Sequence, residues 1–185
     1  MSALVLLAPG FEEIEAITVI DVLRRAEESR RSSRASRPTR SPPRGTPGTW
    51  PTVRLEDVPI SRDFEVVVLP GGVEGAKRLG ESRWSAPGSS ASANATAGSR
   101  RSAPHPPRSR PTAGCGRSRR SSCHPSVNAQ FPAAQTLDAE RLVVDGKLIT
   151  GLAAGSAMEF AFEIVRQLRG NDAVHAINHG VCAVV

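Results

Sequence analysis

The sequence predicts an α/β sandwich with a mainly parallel sheet. Three observations carry that expectation. Short unbroken apolar runs, Ala3-Leu4-Val5-Leu6-Leu7 and Val66-Val67-Val68-Leu69, have the character of strands buried on both faces. Each run is closed by glycine and proline, Pro9-Gly10 after the first and Pro70-Gly71-Gly72 after the second. Each is then followed by a segment with helical periodicity.

The elements follow in order. Residues 3–7 form the first strand. Residues 12–26 form a helix, with a core-facing stripe at Ile14, Ile17, Val19, Ile20, Val22 and Leu23. Acids occupy its first turn and Arg24-Arg25 its last, which suits the helix dipole. Residues 64–69 form a second buried strand, and residues 74–79 begin a second helix. Residues 142–144 and 148–150 read as a hairpin turning at Asp145-Gly146. Ser156-Ala157-Met158-Glu159 has the capping-box pattern. The helix it opens carries Phe160, Ile164, Val165 and Leu168 and ends at Gly170.

Two tracts break this pattern. Residues 29–51 and 83–122 contain no Asp, Glu, Lys, Leu, Ile, Val or Phe. They are built from Arg, Ser, Pro, Gly, Ala and Thr, a composition that cannot bury a core. They hold six and eight arginines, which accounts for the sign of the net charge of +6. The rest of the chain has 10 basic groups against 18 acids, so its body is acidic. At 185 residues the chain fits a single domain, 1–185. Nothing in it approaches the roughly 20 apolar residues of a membrane span, and the start carries no basic segment of the secretory kind. Three cysteines (Cys115, Cys123 and Cys182) make no metal or disulfide framework and point to a reducing, cytoplasmic setting.

Taken in order, Leu4 through Glu15, Asp21 through Ala26, Val66 through Gly72, Cys123-His124-Pro125, Asp145 through Thr150 and Met158 through Ala161 resemble the ThiJ/PfpI family. The resemblance covers about two-thirds of the chain and rests on the ordered set rather than on any one segment. It implies a flavodoxin-like three-layer sandwich, a homodimer, and a cofactor-free, metal-free cysteine enzyme. The implied substrates are small reactive carbonyls or glycated proteins, in glyoxalase- or deglycase-type chemistry with stress-protective or chaperone-like roles. Bacterial members are often labelled thiazole monophosphate biosynthesis proteins or intracellular proteases. The family's nucleophile elbow, a cysteine on a sharp strand-to-helix turn, should fall near Ala103, and no such segment is written there.

The genetic code offers a reason. With Ser as TCN and Arg as CGN, residues 98–104 read from each third base give NTC, NCG, NCG, NTC, NGC and NCC. That string is compatible with Ile-Ala-Ala-Ile-Cys-Ala. Residues 28–36 in the same frame are compatible with Val-x-Ala-Val-Val-Ala-Gly-Leu. Both tracts are therefore expected to be frame-shifted readings of a GC-rich gene; genuine disordered inserts are the alternative.

The candidate site residues are Glu15, His124, Gly71 and Gly72. By resemblance, Glu15 sits beside the cysteine and hydrogen-bonds its sulfur; on residue type alone it is an ordinary first-turn acid. Gly71 and Gly72 end a strand where open α/β sheets place ligands, and their N–H groups could face a substrate oxygen. A plain tight turn explains them equally well. His124 matches the family histidine and could carry a proton at neutral pH; alone it would read as a loop residue. Cys182, in an apolar tail, is expected to be packed.

The chain as written is expected to be inactive and poorly folded, since each tract removes an expected strand and the second removes the elbow. The competing functions are a non-catalytic chaperone or oxidative-stress protein and an Arg-rich nucleic-acid binder. The absence of aromatic residues within the tracts, apart from Trp84 at a margin and Trp50 at the other, argues against nucleic acid.

Overall fold

The computed structural model describes residues 2–34, 54, 57–58, 64–80, 96–99, 120–126 and 140–184. The chain runs through β1 (Ala3–Val5), α1 (Glu13–Arg34), β2 (Val66–Leu69), α2 (Val73–Gly80) and β3 (Thr96–Ser99). It continues through the hairpin β4 (Leu142–Asp145) and β5 (Leu148–Gly151), a 3-10 turn at Ala154–Ser156, α3 (Ala157–Arg169) and α4 (Asn171–Val181). The strands form one sheet in the order β1-β2-β3-β5-β4.

β2 organises this sheet. Its four residues are all buried, and they alternate between two cores. Val66 and Val68 face a cluster with Val19, Val22, Leu23 and Ala26 of α1, Phe160, Ile164 and Val165 of α3, and Val174 and Ile177 of α4. Val67 and Leu69 face a second cluster with Leu6, Ala8, Val58, Phe64 and Leu79. Helices α1, α3 and α4 therefore cover one face, and Leu79 of α2 joins the cluster on the other.

The direction of the sheet is corrected. Among the described strands only β1 and β2 pair in parallel; β2 with β3, β3 with β5, and β4 with β5 are antiparallel. The β4–β5 pair is antiparallel because a two-residue turn permits nothing else. β3 lies inside the second tract, at the place expected to lack a strand. Its sequence, Thr-Ala-Gly-Ser, has none of the Val, Ile or Leu that normally fix how a buried strand lies. Residues 29–34 of the first tract continue α1. Apart from these stretches and residues 120–122, the expectation of disordered or frame-shifted tracts falls outside the described residues.

Four local readings also change. In α1, Ile14 and Ile17 are exposed, and the buried stripe begins with Glu15, Ala16 and Val19. The hairpin's two loop residues are Gly146 and Lys147, since Asp145 pairs with Leu148. Only Gly146 has positive φ (63°), the type II′ pattern rather than a turn on Asp145-Gly146. Ser156 does not form a capping box, because its backbone (φ −103°, ψ 8°) is outside the extended region an N-cap needs. Its Oγ turns back to accept from the N–H groups of Leu152 and Ala153, and Glu159 instead holds Arg141. Cys182 is exposed rather than packed: it ends α4 in the left-handed conformation (φ 56°) while Asn178 clamps Ala183 in both directions.

One polar clamp ties the chain's beginning to the far end of α3. Ser2 N–H donates to Glu65 Oε2 at 2.8 Å, and Arg169 Nη2 reaches Glu65 Oε1 at 3.0 Å. The Ser2 amide above all, and then Arg169, hold the Glu65 carboxyl below its ordinary range. A depressed carboxyl contributes stability above its unfolded pKa and loses it as pH falls through the folded value. Glu65→Gln is therefore expected to lower the urea midpoint at pH 7 and to leave it unchanged well below the carboxylate range, which urea titrations at the two pH values would check.

Candidate functional site

The site is built where β1 and β2 end side by side. Leu6 N–H donates to Val68 O at 2.9 Å, so the chain after β1 still tracks β2. Gly10, at φ 85°, then turns it, and Phe11 N–H closes on Ala8 O at 3.0 Å. This turn starts α1 directly over the end of β2. Glu15 falls in the first turn of α1 on its inward side and is 2% exposed.

Beyond β2, Pro70-Gly71-Gly72 meets that first turn. Gly71 N–H donates to Glu15 Oε2 at 2.6 Å, and Gly71 O accepts from Glu12 N–H at 2.9 Å. A buried carboxyl oxygen is costly without a partner, and the Gly71 amide supplies one. The Gly71 amide thus serves Glu15 here rather than an open cleft. Gly72 sits at φ 93°, and a Cβ on it would lie 2.3 Å from Gly10 O. Only glycine allows the two turns to approach this closely.

His124 is positioned through Ser122. Ser122 N–H donates to Thr150 Oγ1 at 2.9 Å, and Ser122 Oγ donates to Glu140 O at 2.5 Å. Thr150 of β5 is opposite Thr96 of β3, which is opposite Leu69 of β2. Ser122 is therefore bonded to a residue level with the carboxyl end of β2 and two strands across from it, about 10 Å at ordinary strand spacing. His124 follows two residues later. It is exposed, and its Nδ1 accepts Ser126 N–H at 3.2 Å and lies 2.8 Å from Ser126 Oγ. A backbone N–H can only donate, so Nδ1 is the acceptor in that contact.

The structure thus joins Glu15 to Gly71, while the described bonds of His124 are to Ser126. Cys123 is buried and His124 exposed. Ala103 and Cys115 lie outside the described residues. Sequence reasoning missed Gly10, Ser122 and Thr150; a glycine straight after a strand-ending proline was the signal available for the first. Among the described residues no three His, Cys, Asp or Glu side chains gather as metal ligands, and no helix is long and apolar enough to cross a membrane.

An α/β protein with an acid buried under a glycine turn at the sheet's edge matches known proteins over nearly its full length. Residues 1–167 match the DJ-1/PfpI family, and the chain belongs to that family. Protein dj-1beta of Drosophila melanogaster is 33% identical over 198 residues, covering 97% of this chain and 96% of that protein. The crystal structure of Drosophila melanogaster DJ-1beta superposes with a TM-score of 0.62 at 25% identity, covering all of both chains. DJ-1 of Schizosaccharomyces pombe shares the fold, with a TM-score of 0.65 at 18% identity and all of both chains covered. The relatives support the flavodoxin-like α/β fold.

The Gly72 geometry yields a direct expectation. Gly72→Ala must both hold a left-handed backbone and displace Gly10 O, which costs about 1–3 kcal/mol or more. Gly155→Ala meets nothing within 4 Å and is expected to be near neutral. Thermal melts of the two variants would compare them.

Proposed function

We propose that this chain carries the proton-handling part of a site for small reactive carbonyls, of the glyoxalase or deglycase kind, and lacks the thiolate part. The observation that carries the reading is Glu15, an acid 2% exposed and bonded at 2.6 Å to the Gly71 amide. Family membership supports a stress-protective or deglycase-like role.

In the complete reaction a thiolate attacks an aldehyde carbon, a C–S bond forms, and the carbonyl oxygen takes up a proton to give a hemithioacetal. Glu15 and His124 are the residues proposed to move that proton and the next. Carbonyls on glycated proteins would react in the same way. The missing sulfur belongs near Ala103, and no cysteine is written there. Cys123, buried, and Cys182, at the end of α4, are not proposed to replace it. A frame change across both tracts remains our account of the absence: the shifted reading of residues 98–104 is compatible with Ile-Ala-Ala-Ile-Cys-Ala. We further propose that two copies pair through the apolar face next to Glu15, where Ile14 (56%), Ile17 (44%) and Val73 (79%) are exposed on α1 and α2.

Purified protein of this sequence is expected to turn over an α-oxoaldehyde such as methylglyoxal no faster than buffer does. Turnover above that rate overturns the half-site reading. Protein translated from the shifted frame is expected to be active, and Glu15→Gln in it to cut kcat/KM by about 10²–10⁴-fold. DNA sequencing across both tracts tests the frame itself: a single-base correction on each side restores an ordinary enzyme, and an unchanged reading removes the enzymatic proposal for this polypeptide. In sedimentation experiments, Ile17→Glu is expected to shift dimer to monomer.

A further inference from the structure

The turn that carries Glu15 is held from a second side, by α2. Gly75 lies in the first turn of α2 and is buried. Its N–H donates to Gly10 O at 3.1 Å. A Cβ on Gly75 would lie 2.8 Å from both Cα and N of Phe11 and 3.0 Å from the carbonyl carbon of Gly10. Every one of those atoms is backbone, so no side chain can swing aside.

The choice of residue is a conflict resolved one way. Glycine is a poor helix former, and alanine would serve this helical position better on propensity alone. A glycine kept inside a helix signals a close approach, and here the approach is to the segment that aims Glu15. Two turns interlock: residues 8–15 and residues 70–76. Glu12 N–H and Glu15 Oε2 grip Gly71 at one end, and Gly75 N–H grips Gly10 O at the other. Residue 75 therefore sets the distance between the turns.

We propose that Gly75 is a positioning residue whose missing side chain holds the Glu15 carboxylate against the Gly71 amide. The inference deepens the proposed carbonyl site and rests on that reading only for its functional meaning. With alanine at 75, the contact must open from 2.8 Å to at least the 3.4 Å where ordinary van der Waals contact begins. The same displacement carried to the Glu15–Gly71 bond takes it from 2.6 Å to the outer end of the N–H···O range, about 3.2 Å.

The test is amide NMR on the full chain, which needs no turnover. In Gly75→Ala the Gly71 amide is expected to exchange about tenfold faster and to shift upfield, as its bond to Glu15 weakens. The amides of Val66, Val67 and Val68 keep their protection, and Gly155→Ala changes none of these signals. An unchanged Gly71 amide in folded Gly75→Ala overturns the proposal. So does equal loss of protection along β2, which would mean a general structural role. Should Gly75→Ala not fold, native-state exchange of the unmodified chain across a urea series decides: Gly71 and Gly75 amides opening as one unit support the interlock, and independent opening overturns it. A response at Gly71 with no carbonyl turnover even in the frame-restored enzyme would remove the proposed reaction and leave the positioning role standing.

Discussion

Everything described here depends on a strand that is covered on both faces. β2 puts Val66 and Val68 into one core and Val67 and Leu69 into the other, with none of the four more than 6% exposed. Removing any of these side chains opens a cavity in one layer without relief from the other, and close packing makes such losses expensive. β2 also pairs with β1 on one side and β3 on the other. Its carboxyl end then supplies Gly71. The strand thus sets the core, the register of its neighbours and the place where Glu15 must land.

The site is a consequence of that placement. β1 and β2 end together because they pair in parallel, and two glycine-bearing turns are forced into contact beyond them. Open α/β sheets place ligands at such edges. The chain belongs to the DJ-1/PfpI family, and its written sequence is set apart by the two tracts, residues 29–51 and 83–122. The buried acid and the glycine turn that meets it are both among the described residues.

Much of this was legible in the residues, for identifiable reasons. β2, the β4–β5 hairpin and α3 announce themselves through continuous apolar runs, Gly146 in its turn and Gly170 at its end. β3 could not be read, because Thr-Ala-Gly-Ser has no apolar signal and only pairing with its neighbours makes it a strand. α4 went unread because just Gly170 separates it from α3. The extension of α1 to Arg34 was hidden by tract composition, although arginine favours helix. The Ser156 pattern was present, but the 3-10 turn before it took the hydroxyl elsewhere. Glu15 was picked out by resemblance, since a first-turn acid alone is commonplace. Gly75 stood in plain view as a glycine within a helical run.

The clamp of Ser2 on Glu65 closes a span of 63 residues between a strand and the one beside it. The entropy of closing such a span rises only with the logarithm of its length, about 0.6 kcal/mol per doubling. The equilibrium between folded and unfolded chain is therefore nearly indifferent to how many residues lie between α1 and β2. Its kinetics are not, because a distant parallel pair must be found before any of its packing is gained. A gene can thus lengthen or shorten that span while the two strands still meet, and the toll falls on how fast they find each other.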